Sequence, residues 1–189
     1  MSGAGIHGKA VDSASAGLDA AAGARIGVAI EHTYHVECWR NGVLVWEDEF
    51  HNLVTTAGKN KYLDATIKTG LASPAWYVGL VTGPGSGNTY AAADTMGSHA
   101  GWAEDATYSN STRPAYTPGS ISGGSVDNSA SKAVFTINGT ATIAGAFMAD
   151  NSTKSGSTGT LLGVGDFSGG DRAVQNGDTL NVNVTASIS

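Results

Sequence analysis

Residues 33–50 read TYHVECWRNGVLVWEDEF, two runs rich in β-branched and aromatic side chains on either side of Asn41-Gly42. Asn-Gly is the pair best suited to a two-residue type I′ turn, whose central residues both take positive φ. The stretch therefore predicts a β-hairpin. Pairing outward from the turn sets Trp39 opposite Leu44, Cys38 opposite Val45 and Glu37 opposite Trp46. One face then carries Val36, Cys38, Val43 and Val45, and the other Trp39, Leu44, Trp46 and Phe50. Both faces are apolar near the turn, unlike a hairpin on a sheet with one wet side. Such a hairpin is expected to be covered on both sides, or to keep one face for a partner chain.

Further along, the pattern alternates between turn signals and short strand-like runs. Thr55 to Gly70 predicts a helix of about three turns, with Thr55 or Thr56 as N-cap, Leu63 and Ile67 one turn apart, and Gly70 after the C-cap. Ala75 to Val81 (AWYVGLV) reads as a buried strand. Residues 82–124 are mostly turn formers, and a segment of that length is expected to be functional or interfacial. Strand character returns around Asn138-Gly139, in TGTLLGVGDF (158–167), and after Asn176-Gly177-Asp178. There Leu180, Val182, Val184, Ala186 and Ile188 alternate strictly. Three Asn-Gly pairs suggest a hairpin device used three times. Several short strands and one helix predict a mainly β fold, an antiparallel β-sandwich occupying residues 31–189 as one domain. Residues 1–30, rich in Ala, Gly and Ser, are expected to form an extended N-terminal arm, flexible or ordered on a partner, with a weak helix over Ala14 to Ala24 as a further option.

Bulk composition narrows the function classes. Charged residues make up 14%, against roughly 25% in an ordinary domain, and 27 glycines help fill the gap. A surface poor in long charged side chains suits a protein packed against neighbours. The net charge of −6, with ten scattered Lys and Arg, argues against nucleic-acid binding. Cys38 is the only cysteine, so no intrachain disulfide forms. The first thirty residues lack the basic start and apolar core of a secretory signal, and no apolar run is long enough for a membrane span. The four Asn-x-Ser/Thr sites, at Asn110, Asn138, Asn151 and Asn183, are then consequences of composition. The expected setting is a cytoplasm, without membrane.

A search for reaction chemistry gives little. After Val81, Gly83-Pro84-Gly85-Ser86-Gly87 resembles the opening of a phosphate loop, but Asn88-Thr89-Tyr90 stands where Lys and Ser/Thr are needed. Pro84 also removes an N–H that a dinucleotide loop uses. Cys38 has His32, His35 and His51 nearby in sequence, yet on a strand His35 points to the opposite face. Asp94, His99, Glu104 and Asp105 lack a metal-ligand spacing, and Gly165 to Asp171 lacks the acidic rhythm of a calcium loop. Both read as solvated turns. The expectation is a non-enzymatic protein without metal or cofactor, whose aromatic side chains supply anchors at interfaces: Trp39, Trp46, Tyr90, Trp102, Tyr108 and Tyr116, with core packing as the alternative for each tryptophan.

Four segments resemble small virion proteins of tailed bacteriophages: WEDEFHNLVTTAGKNKYLDA (46–65), AWYVGLV (75–81), DTMGSHAGWAEDATYSNSTRPAYTPG (94–119) and NGDTLNVNVTASIS (176–189). The resemblance spans roughly residues 36–189. It implies a jelly-roll-like sandwich that decorates or cements the outside of a capsid. The implied partners are the major capsid protein and copies of itself in a symmetric oligomer such as a trimer, and no catalytic residues come with it. A tail-tip or fibre component that stacks aromatic side chains on a host-surface glycan is the rival reading.

Overall fold

The structure, a computed structural model, describes residues 28–68 and 72–189. The expected N-terminal arm, apart from its last three residues, and the expected C-terminal Gly70 of the helix lie outside them. Strands β1 (Ile30–Arg40) and β2 (Val43–His51) form the predicted hairpin. Asn41 and Gly42 take φ of 50° and 78°, the type I′ signature that only a small polar residue followed by glycine adopts cheaply.

The register departs from the expected one within three residues of the turn. Trp39 does face Leu44, but Cys38 faces Trp46 and Glu37 faces Glu47, because a β-bulge at Cys38/Trp39 adds Val45 to the second strand. One extra residue exchanges the faces of everything beyond it. Trp46, Asp48 and Phe50 therefore join Tyr34, Val36 and Cys38 on the core side, with Phe50 stacked on Tyr34 at 4.9 Å. The hairpin is apolar on one face only, apart from its tip.

The first sheet has the order β2-β1-β12, where β12 is Thr179–Ile188. Its far edge is shared by β7 (Ser125–Asp127) and β8 (Ala133–Thr136), which lie in tandem along β12. The expected alternation of β12 is present: Leu180, Val182 and Val184 are wholly buried, while Ile188 emerges at the end. The second sheet runs β3 (Leu53–Val54), β10 (Leu161–Asp166), β9 (Ala141–Ala149), β4 (Trp76–Thr82), with β5 (Glu104–Asp105) and β6 (Ala115–Tyr116) along β4, and β11 (Arg172–Val174) against the start of β9. The two antiparallel sheets pack into a sandwich. Its first and last long strands pair over ten residues, from Ile30↔Ile188 to Trp39↔Thr179. Only the first Asn-Gly pair makes a hairpin. Asn138-Gly139 and Asn176-Gly177 each carry the chain from one sheet to the other, β8 to β9 and β11 to β12.

The helix α1 (Thr56–Thr66) begins where its cap predicts: Thr55 Oγ1 accepts from Gly58 N at 2.9 Å. Its packing face is not the expected one. Leu63 and Ile67 are 57% and 76% exposed, whereas Gly58 is buried and Tyr62 packs against the core. A side chain at Gly58 would strike the Leu162 carbonyl, so glycine is what lets the helix approach β10 this closely.

Within residues 83–124, where β5 and β6 belong to the second sheet and Tyr108 and Tyr116 to the core between the sheets, the turns around Met96 and Trp102 form an outer layer. They fold back across the second sheet, and Met96 and Trp102 close a second core with Ala144, Phe147, Leu161 and Val164. Hence β9 and β10 are apolar on both faces, the continuous pattern of a sheet covered twice.

Candidate interaction surfaces

The outer layer fixes the fate of most expected anchors. Tyr108, Trp102 and Tyr116 are 1%, 6% and 9% exposed. Tyr108 meets Phe135 edge-on at 5.0 Å, and Trp102 lies 5.2 Å from Phe147 with its Nε1 donating to Asp94. Trp46 packs against Phe167 and the core. Tyr108, Trp102 and Tyr116 are interior, which for Trp102 is the core-packing alternative, while Trp46 is partly buried; the turn-rich neighbours of the two tyrosines carry no periodicity that marks them as core. Tyr90 is half-buried over Trp102 and its hydroxyl donates to Asp166; desolvation first, and then this bond, hold the phenol above its usual range. Trp39 alone stands on the outer hairpin face, its Nε1 bonded to Glu37 at 3.0 Å.

The glycine stretch is filled from within. Gly85 N donates to Asp171 Oδ1 at 2.8 Å, and a side chain at Gly85 would meet the carboxylates of both Asp171 and Asp166. Two carboxylates stand where a phosphate loop would receive its anion, so the geometry repels one. The four acidic and imidazole groups weighed for a metal have separate partners. Asp94 takes Trp102 and Ala91, His99 bonds the Trp102 carbonyl, Glu104 holds Arg113, and Asp105 caps Thr107 N. Among the described residues no group of three potential ligands converges. In the 165–171 turn, Ser168 N and Gly169 N point at Asp48, a carboxylate also paired with Arg172 at 2.6 Å.

Cys38 is wholly buried, with its thiol pushed up to about 12 by desolvation and by the neighbouring Asp178. His35 lies on the outer face beside Glu37 and Glu47, as strand alternation requires. Asp178 itself is held below the usual carboxylate range, first by the two-pronged bond from Arg40 at 2.7 and 2.9 Å.

Two surface features remain. The first is the hairpin tip, where Val43, Leu44 and Val45 are 66%, 40% and 45% exposed. The bulge produces it, because Val45 has no cross-strand partner to sit against. Behind the tip, β2 is an edge strand guarded by Glu47 and Glu49, whereas Val43 to Val45 carry no charge and Arg40 opposite Val43 is paired with Asp178.

The second is a cleft of about 520 Å³ at the opposite end of the sandwich. There the sheets part between β12 and β7 on one side and β4 and β6 on the other, with α1 as a third wall. Trp76, Tyr116, Ile121, Val126, Met148 and Leu162 make it apolar. At its foot is His32, 1% exposed, with Asn52 Nδ2 donating to Nδ1 at 3.2 Å. Nε2 then carries the proton and faces the Tyr62 hydroxyl at 2.7 Å. Burial holds this imidazole down at about 4, so it is neutral. The cleft assembles from seven separate stretches and has no local signature in the chain.

No protein-family model matches the chain, and no curated protein matches it.

Proposed function

We propose that this protein is a structural component of a tailed-phage virion, bound on the capsid exterior, where it joins capsid subunits and copies of itself without catalysing a reaction. The hairpin tip carries the reading. Three consecutive aliphatic side chains, 40% to 66% exposed on a bulged turn, gain about 1 kcal/mol each when a partner covers them. A tip of this kind fits a hydrophobic depression on a neighbouring subunit, while the Glu47/Glu49 edge discourages open-ended strand pairing. The segments that resemble phage virion proteins point the same way. The glycan-binding alternative needs aromatic platforms in the 82–124 loops, and Trp102, Tyr108 and Tyr116 are turned inward there.

The test is co-sedimentation with expanded capsids, using the full chain and Leu44→Asp/Val45→Asp. Both positions lie outside the core, so the variant is expected to melt within a few degrees of the parent. Capsid loading should fall at least tenfold. Unchanged loading of a folded variant removes the tip from the interface. Counting copies per virion decides the location: hundreds support the capsid, and about a dozen would move the protein to the tail.

A further inference from the structure

The apolar cleft is set beside the point where the chain enters β1. Ala29 pairs with Ser189 in both directions, N–H to O at 2.8 and 3.0 Å, and the next residue of β12, Ile188, lines the cleft. Two residues into β1, His32 closes the cleft floor opposite Ala186. The 27 residues given before Val28 thus start at the rim of an apolar slot. They include Leu18-Asp-Ala-Ala-Ala-Gly-Ala-Arg-Ile26, where Leu18 and Ile26 lie outside the charged pair Asp19 and Arg25, and the five residues between that pair are Ala or Gly. Gly27 precedes the first described residue, and glycine is the residue that lets a chain reverse most cheaply. Val28 itself is 75% exposed. A tether of so few residues holds the segment at an effective concentration in the millimolar range, which favours the chain's own segment over any free competitor.

We infer that residues 18–26 dock into this cleft of their own chain, covering Trp76, Tyr116 and Ile121. Aliphatic side chains at 18 and 26 displace water from an apolar surface, Ala20 to Ala24 let the backbone run close to the walls, and Asp19 and Arg25 keep their charges at the open side. His32 suits this role: neutral and doubly hydrogen-bonded, it presents no charge to an apolar occupant. The inference concerns the free chain and does not rest on the capsid reading.

The experiment uses the full chain with paired cysteines. Ala22→Cys/Ile121→Cys joins the docking segment to the cleft wall; Ala22→Cys/Lys59→Cys places the second thiol outside the cleft, on a smaller hollow near the start of β1. Cys38 is buried and stays out of the exchange. Under mild oxidation, the intrachain disulfide of the first pair should form at least tenfold faster than that of the second. Separately, Leu18→Asp/Ile26→Asp in the full chain should raise binding of an anilinonaphthalene sulfonate dye several-fold. Equal oxidation rates for the two pairs overturn the inference. So does a cross-link that forms only between chains, which would assign the cleft to a second copy's segment, and so does dye binding that the aspartates leave unchanged.

Discussion

Replacing Arg113 by methionine tests whether the outer layer is held as the structure implies. Arg113 is the largest fully buried side chain, 0% exposed, and its partner Glu104 is 6% exposed. Its Nε and Nη2 donate to the two Glu104 oxygens at 2.9 and 2.7 Å. Nη1 reaches the Asn151 carbonyl at 2.8 Å and Nη2 the Gly156 carbonyl at 3.1 Å, and the guanidinium lies 5.1 Å over Phe147. Methionine keeps the packing length and removes every one of these bonds. Glu104 would keep only Ser155 N, and two carbonyls would lose their donor. Stranding a buried charge in this way costs about 3–5 kcal/mol, a large share of a stability that runs to roughly 5–15 kcal/mol for a whole domain. Glu104→Gln strands the guanidinium instead and should cost a similar amount. The double variant Arg113→Met/Glu104→Gln leaves no isolated charge, so its loss should fall short of the sum by about 2 kcal/mol. Urea unfolding of the four proteins measures the cycle, and amide exchange shows whether the loss opens residues 94–116 first. A cost below about 1 kcal/mol for Arg113→Met, with exchange in that segment unchanged, would refute the view that this pair fastens the layer.

Two further outcomes follow from buried groups. His32 is neutral when folded, with its ionisation near 4, and near 6.5 when unfolded, so the unfolded chain binds the extra proton between those values. Stability should therefore fall as pH drops through that window, by about 2 kcal/mol between pH 7.5 and pH 5. Denaturant titrations of the parent and His32→Gln at both pH values check it, and equal pH slopes would remove His32 as the cause. Gly58→Ala should destabilise by roughly 1–3 kcal/mol, because the new methyl meets the Leu162 carbonyl, although alanine favours a helix. A neutral or stabilising result in thermal melts would show that α1 moves freely on β10.

What was legible in the chain was what is local. The type I′ turn, the Thr55 cap and the alternation of β12 each follow from a few adjacent residues, and the sandwich follows from their number and spacing. The misses share a cause. A bulge leaves no mark in composition, so Trp46 and Phe50 were assigned to the wrong face. Leu63 and Ile67 are the most apolar pair on α1, yet the small Gly58 sets the contact, because backbone approach outweighs side-chain area there. An Asn-Gly pair specifies a turn but not which sheet receives the next strand. Arg113 was not singled out at all. A buried arginine among turn formers is recognisable only once Glu104, Asn151 and Gly156 are seen to converge on it.

The covering of the second sheet by residues 83–124 decides where a partner can bind. With that sheet enclosed on both faces, the first sheet offers the remaining broad surface, and it is polar. Glu37 bonds Lys132 at 2.7 Å, His35 lies between Glu37 and Glu47, and Asn181 and Asn183 continue the face on β12. Among the described residues, exposed apolar side chains cluster at the two ends of β1, with Leu53, Leu63, Ile67 and Val134 exposed elsewhere. The hairpin tip lies beyond Arg40 and the cleft lies at Ile30, eleven residues apart along an extended strand, or roughly 35 Å. At that separation the two sites share no side chain, and changes at one should add to changes at the other. That arrangement places the sticky surfaces at opposite poles and leaves the faces between them wet.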